Sequence, residues 1–314
     1  MQLPQYSDIC AATLRLEGIV HHTPVMTSSA INEIVGAELF FKCENLQKVG
    51  AFKFRGATNA VRALSGAEAL CGVATHSSGN HAAALALAAR QRGVKAHIVM
   101  PSNAPDVKKA AVAGYGAEIT FCEPTLQARE STLMQIVAAT GATIVHPYNN
   151  FQVIAGQGTA AKELIEAVGQ LHIVMCPVGG GGLLSGTALS AKALLPGCKV
   201  VAAEPVGADD ACRSFREGHI VPSVNPKTIA DGLLTSLGEM NFPIIQQYVD
   251  DIVTVSEEAI VEAMRLVWER MKIIIEPSSA VPLAALLENK VNISGLKVGI
   301  ILSGGNVDLK KLPF

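Results

Sequence analysis

Apolar positions along this chain follow two alternating rhythms. Short runs rich in Val, Ile and Leu, at residues 39–42, 72–75, 96–100, 118–121, 143–145, 172–176, 199–203, 251–255 and 298–302, have the length and β-branched content of buried strands. Between them lie longer, alanine-rich stretches with helical spacing, at 81–92, 106–113, 126–140, 156–168, 183–194 and 257–271. A strand that is apolar without polar alternation is covered on both faces, and the intervening helices supply the cover. The pattern predicts an α/β fold built on parallel sheet. Pro101, Pro105 and Pro177 fall at strand ends, where a missing N–H donor does no harm.

At 314 residues the chain exceeds the size at which a single core usually stops growing, so two lobes are expected. A formal net charge of −2 is too balanced to favour nucleic acid or an anionic membrane as partner. There is no window of about 18 uncharged apolar residues, and the opening residues lack the basic-then-apolar pattern of a secretory leader. Seven cysteines are scattered without a C-x-x-C pair, which reads as reduced thiols and a cytoplasmic setting.

Several expected strands end in turns rich in small residues that open a helix, and in open α/β sheets ligands sit at the carboxyl ends of strands. The clearest is Pro-Val-Gly-Gly-Gly-Gly-Leu-Leu-Ser-Gly at 177–186. Four successive glycines cost backbone entropy, which makes sense where N–H groups must approach an anion at a helix start. The spacing matches neither the dinucleotide fingerprint nor the Walker loop.

In Gly-Ala-Phe-Lys-Phe-Arg-Gly-Ala at 50–57, Lys53 sits between aromatics ahead of a small-residue helix. Desolvation there lowers an amine's pKa and makes it a nucleophile toward carbonyls, although most lysines at helix starts are simply solvated. Thr-His-Ser-Ser-Gly-Asn-His at 75–81 reads equally as an ordinary cap or as a carboxylate site. Ser-Gly-Gly-Asn at 303–306 is a turn whose hydroxyl can meet a ring nitrogen. Glu-Pro-Val-Gly-Ala-Asp-Asp at 204–210 is a solvated acidic turn by default, with oxygens placed to hold a hard divalent cation.

Taken together and in this order, these segments resemble the pyridoxal-phosphate (PLP) enzymes of fold type II, the tryptophan synthase β-like class, and within it the serine racemase and serine/threonine dehydratase branch. The similarity runs nearly end to end, from His22-Thr23-Pro24 through Lys42-Cys43-Glu44-Asn45-Leu46-Gln47, Ala155-Gly156-Gln157-Gly158-Thr159 and Ile229-Ala230-Asp231-Gly232 to Ser303-Gly304-Gly305-Asn306. The resemblance implies two lobes, each a mostly parallel sheet flanked by helices. Residues 1–67 and 150–314 would form the large cofactor-binding domain and 68–149 a small mobile domain.

By the same resemblance Lys53 carries the cofactor covalently, with Phe52 beside it. Gly179, Gly180, Gly181, Gly182 and Leu183 bind its phosphate, Asn80 its ring hydroxyl and Ser303 its pyridine nitrogen. Substrate lies against Ser77, Ser78, Asn80 and His81, with Arg129 reaching toward it. Glu204, Asp210 and the Ala208 carbonyl match a Mg²⁺ or Ca²⁺ site, and Ser28, Ser29 and Lys48 match part of a nucleotide (ATP) site at the interface of a homodimer.

The branch can be narrowed. Cysteine synthases carry a different lysine motif and a T-S-G-N-T type loop. Threonine dehydratases commonly place alanine where this chain has Ser78, and serine racemases place serine, which makes Ser78 the second catalytic residue beside Lys53. The implied activity is racemisation of serine with accompanying dehydration of small β-hydroxy amino acids to a keto acid and ammonia. A threo-3-hydroxyaspartate dehydratase or a catabolic threonine dehydratase is the alternative, with His81 and Arg129 available to a second carboxylate. Ala82-Ala83 departs from the G-Q or A-Q pair usual after the S-G-N-H segment.

Overall fold

The strand-forming runs assemble as two sheets because those between residues 73 and 144 pair only with one another. The computed structural model describes residues 2–77, 79–104 and 106–314. In chain order the strands are β1 (Val25–Met26), β2 (Glu38–Cys43), β3 (Val73–His76), β4 (Ala96–Pro101), β5 (Glu118–Cys122), β6 (Thr143–Ile144), β7 (Ile173–Pro177), β8 (Lys199–Pro205), β9 (Asp251–Val255) and β10 (Lys297–Leu302). The larger sheet runs β1-β2-β10-β7-β8-β9 and the smaller β5-β4-β3-β6. Every pairing is parallel except β1 with β2.

Side-chain alternation explains why the large-sheet strands show no polar face. Leu39, Phe41, Ile173, Met175, Val298 and Ile300 pack with the helices Glu257–Met271 and Pro277–Leu287. Their neighbours Val174, Cys176, Val200 and Ile301 pack on the other side with Phe151–Val168 and Gly182–Leu194. The smaller sheet is covered likewise, Val73 and Ile98 with the helix Asn80–Arg92, and Ala74 and Val99 with Leu133. All seven cysteines are free.

Three elements depart from the pattern-based expectation. The helix expected from 156 begins at Phe151, where the Asn150 side chain accepts from Val153 N at 3.0 Å and caps it. The glycines at 156 and 158 mimic a helix start but are packing positions. Helix Pro277–Leu287 has almost every residue buried and a proline inside it, so it leaves no amphipathic period. Helix Tyr6–Leu16 starts on Gln5, an unusual capping residue that pairs reciprocally with Asp8.

The helix Lys53–Ala63 lies hard against Phe151–Val168. A Cβ on Gly156 would stand 2.7 Å from Gly56 Cα and 2.8 Å from the Arg55 carbonyl. Gly156→Ala is therefore expected to destabilise the fold by about 1–3 kcal/mol through overpacking. Urea unfolding measures it, and a change within about 0.5 kcal/mol, typical of a surface site, would contradict the close approach.

Candidate active site

The carboxyl ends of β3, β7 and β10, from both sheets, open into one cavity of about 590 Å³. Phe52, Lys53, Ser77, Asn80, His81, Arg129, Gly179, Gly180, Gly181, Gly182, Leu183 and Ser303 all line it. Sequence reasoning thus named residues that the fold brings together from across the chain. Ser78 lies outside the described residues.

Lys53 opens its helix directly after a bridge between Ala51 and Gly304, and Phe52 N donates to the Ser303 carbonyl at 3.0 Å. The lysine is thereby clipped to the end of β10. Its Nζ donates to the Pro147 carbonyl at 3.0 Å and lies 5.1 Å from the centre of the Phe52 ring. The residue is open on the cavity side, but protein surrounds the amine. Burial pushes its pKa down to about 8, with the charge of Glu276 pulling the other way.

The glycine run is a packed loop. A Cβ on Gly180 would stand 2.3 Å from the Tyr148 ring, and Gly181 adopts φ 91°, which disfavours any side chain. Asn241 Nδ2 donates to the carbonyls of Gly180 and Tyr148 at 2.9 and 3.1 Å, holding the loop under the tyrosine. The N–H groups of Gly179, Gly180 and Gly181 have no backbone acceptor among the described residues, and helix Gly182–Leu194 adds its positive end.

Across the cavity, Asn80 Nδ2 donates to both carboxyl oxygens of Glu276, at 3.0 and 3.1 Å, and Asn80 Oδ1 accepts from Asn306 Nδ2 at 2.9 Å. Glu276 is 4% exposed, and burial pushes its carboxyl up to about 7, with the Asn80 hydrogen bond opposing. It escaped the sequence reading, although a lone acid in Ile273-Ile274-Ile275-Glu276-Pro277, inside an otherwise apolar run, was a usable signal.

The histidine ring of His81 is turned away from anion duty. Its Nε2 lies 2.9 Å from the Val145 carbonyl, which can only accept, so that nitrogen carries the proton. Burial, reinforced by Lys53, holds the ring pKa down to about 3. The imidazole is neutral with a bare Nδ1, so a carboxylate can be met only by the residue's backbone N–H at the helix start. Arg129, half-buried on helix Leu126–Thr140, donates through Nε to its own Thr125 carbonyl at 3.3 Å and leaves its guanidinium end to the cavity. His76, His146 and Tyr148 stack edge to face beside it.

The family model described as pyridoxal-phosphate dependent enzyme matches residues 16–304. The chain belongs to the pyridoxal-phosphate-dependent enzymes. It is 52% identical to the beta-hydroxyaspartate dehydratase of Paracoccus denitrificans over 314 residues, the whole of both chains. It is 54% identical to the serine racemase of Dictyostelium discoideum, covering 97% of this chain and 95% of that one. The structure of maize serine racemase superposes with a TM-score of 0.96 at 46% identity, over 98% of this chain and 95% of that one. With two mostly parallel sheets, the fold is the type II fold of PLP enzymes.

The cavity fits that cofactor. A phosphate asks for convergent N–H groups in a place without room for side chains, and the Gly180 turn is such a place. An aldehyde asks for an amine with a lowered pKa, and the one on Lys53 stands in the same cavity. Ser303, 2% exposed, brings a hydroxyl and no charge.

The acidic turn lies apart from the cavity wall, at the end of β8. Glu204 accepts from Ala211 N at 3.3 Å and Cys212 N at 2.6 Å, and burial pushes its carboxyl up to about 9. Burial also raises Asp210, to about 6, and its Oδ2 has no partner among the described residues. Ala208 belongs to the turn Val206–Ala208 between them. Of the nucleotide residues, Ser28 caps the helix that Ser29 opens, and Lys48 Nζ donates to the Ile19 carbonyl. Among the described residues no helix is long and apolar enough to cross a membrane.

Behind Lys53, Arg55 is wholly buried. It meets Glu44 through Nε at 2.7 Å and Nη2 at 2.8 Å, and Glu163 through Nη1 at 2.6 Å and Nη2 at 2.8 Å. Lys42 joins Glu163 at 2.6 Å. Glu44→Ala removes one of the two buried counter-charges and leaves the Arg55 Nε–H without an acceptor, and is expected to cost roughly 3–5 kcal/mol in denaturant unfolding. A variant as stable as the parent would show that the network does not hold the helix.

Proposed function

We propose that the chain is a PLP-dependent serine racemase that also eliminates the β-hydroxyl of L-serine and related amino acids, releasing pyruvate and ammonia from serine. The observation that carries this reading is the Lys53 amine, poorly hydrated and depressed to about 8, in one cavity with a packed glycine turn and a neutral serine. When bound, PLP supplies an electron-withdrawing ring into which negative charge at the substrate Cα spreads.

The roles of the chain's own groups follow from their chemistry. Lys53 holds the cofactor and, as a free amine, takes the α-proton from one face of the substrate; a pKa near 8 keeps it a working base close to neutral pH. Ser78 serves the opposite face. Gly179 to Leu183 bind phosphate, Asn80 the ring oxygen, and Phe52 packs beside the ring. Ser303 meets the ring nitrogen without supplying a fixed negative charge, so it does not hold a proton there. N–H groups at the start of helix Asn80–Arg92, with Ser77, take the α-carboxylate.

A second reading, a threo-3-hydroxyaspartate dehydratase, is favoured by Arg129, whose guanidinium end has room for a second carboxylate. Incubating the pure protein with L-serine, D-serine, L-threonine and both threo-3-hydroxyaspartates separates the two. Interconversion of serine enantiomers with keto-acid release supports the first. Rapid deamination of hydroxyaspartate with no serine racemisation supports the second.

Residues 68–149 are the small mobile lobe in this proposal, and the working unit is a cytoplasmic homodimer with ATP as effector near Ser28, Ser29 and Lys48. Glu204, Asp210 and the Ala208 carbonyl hold Mg²⁺ or Ca²⁺, which offsets the burial of two carboxylates. Exhaustive chelation is expected to lower the melting temperature and added cation to restore it, with Glu204→Ala unresponsive; a parent protein indifferent to chelation contradicts the site.

Ser78→Ala is expected to lower serine racemisation by at least roughly 10²-fold while sparing elimination from L-serine, because only racemisation needs a proton donor on each face. Chiral product assay of the purified variant checks this, and parental racemisation would remove Ser78 from the mechanism.

A further inference from the structure

The polar contacts of Asn80 are ordered by a relay that starts outside the cavity. Val49 holds φ 58°, a left-handed conformation rare for a β-branched residue, and its carbonyl accepts from Asn306 Nδ2 at 2.8 Å. A carbonyl only accepts, so this bond fixes which end of the Asn306 side chain is nitrogen. The same nitrogen donates to Asn80 Oδ1 at 2.9 Å, which turns Asn80 Nδ2 toward the carboxyl of Glu276 at 3.0 and 3.1 Å. Glu276 stands before helix Pro277–Leu287 without capping it, and its carboxyl also accepts from Asn306 N at 3.2 Å. It is boxed in: a Cβ on Gly304 would stand 2.8 Å from its carboxyl carbon.

We propose that Glu276 is a positioning residue that orients the Asn80 amide: its two carboxyl oxygens share one N–H of Nδ2, so that the other N–H and not the C=O faces the ring oxygen of PLP. The proposal rests on reading Asn80 as the group that meets that oxygen. A carboxyl at position 276 holds the direction that Asn306 sets. Glutamine fills the same space but puts a donor where a carboxyl oxygen accepts, so it opposes Asn80 Nδ2 and loosens the hold on the amide. Asn80 follows a strand of the smaller sheet, whereas Asn306 follows β10 of the larger one and Glu276 precedes a helix packed on that sheet. The relay therefore also ties elements of the two sheets together.

The test is a double-mutant cycle read by cofactor affinity. The dissociation constant of PLP is measured by fluorescence on apoprotein for the parent, Glu276→Gln, Asn80→Ala and the double variant. Glu276→Gln is expected to weaken binding roughly tenfold in the parent background, as loss of a hydrogen bond to a charged group does, and by less than about twofold in the Asn80→Ala background. A general structural role would weaken both equally. Equal weakening, or none in the parent background, overturns the proposal while Asn80→Ala remains weakened. If Asn80→Ala binds like the parent, the reading of Asn80 fails and the proposal with it. Should Glu276→Gln not fold, Asn306→Ala enters the same cycle with the same expected pattern, and additive behaviour there overturns the relay.

Discussion

Arg55 carries a permanent charge in a place without water, and the arrangement of the site depends on how that charge is met. Its partners come from three parts of the chain: Glu44 just after β2, Glu163 and Thr159 on helix Phe151–Val168, and the His21 carbonyl before β1. A guanidinium offers five donors in a rigid fork, so the helix that bears it can neither slide nor rotate without leaving some of them unmet. Lys53 lies on that helix, two positions earlier. A buried network of this kind adds little stability over an apolar core, but it penalises every other register. The glycines at 56 and 156 let the two helices approach closely enough for the network to close.

Upon that fixed frame the site separates charge. Two helices, Asn80–Arg92 and Gly182–Leu194, begin at the cavity and direct their positive ends into it. The groups between them are shifted toward their neutral forms. Burial lowers the amine of Lys53, holds His81 and His146 far below the usual histidine range and lifts Glu276. In the proposed reading these two ends take a substrate carboxylate and a cofactor phosphate, while burial brings the Lys53 amine close enough to neutral pH to exchange a proton.

Much of this was legible in the sequence for a physical reason. Strands buried on both faces write themselves as uninterrupted apolar runs. A turn that must approach an anion writes itself as glycine. The lysine and asparagine segments were individually ambiguous, and only their order along the chain gave them meaning. What stayed hidden is what depends on distant partners. Glu276 acquires its raised pKa only after folding surrounds it. The His81 ring reads as a free imidazole until the Val145 carbonyl is placed against it. Helix Pro277–Leu287 has no polar face to mark it, and a proline breaks its local signal. Of His81 and Arg129, both offered to a second carboxylate, only Arg129 turns a cationic end to the cavity, which the fold alone reveals.

The central claim is that Lys53 carries the cofactor. Borohydride reduction of the yellow, cofactor-loaded protein, followed by peptide mapping, tests it directly. The account predicts that the visible band bleaches and that a single pyridoxyl group remains on the peptide containing Phe52-Lys53-Phe54-Arg55. A pyridoxyl group on any other lysine, or none on Lys53, would contradict it.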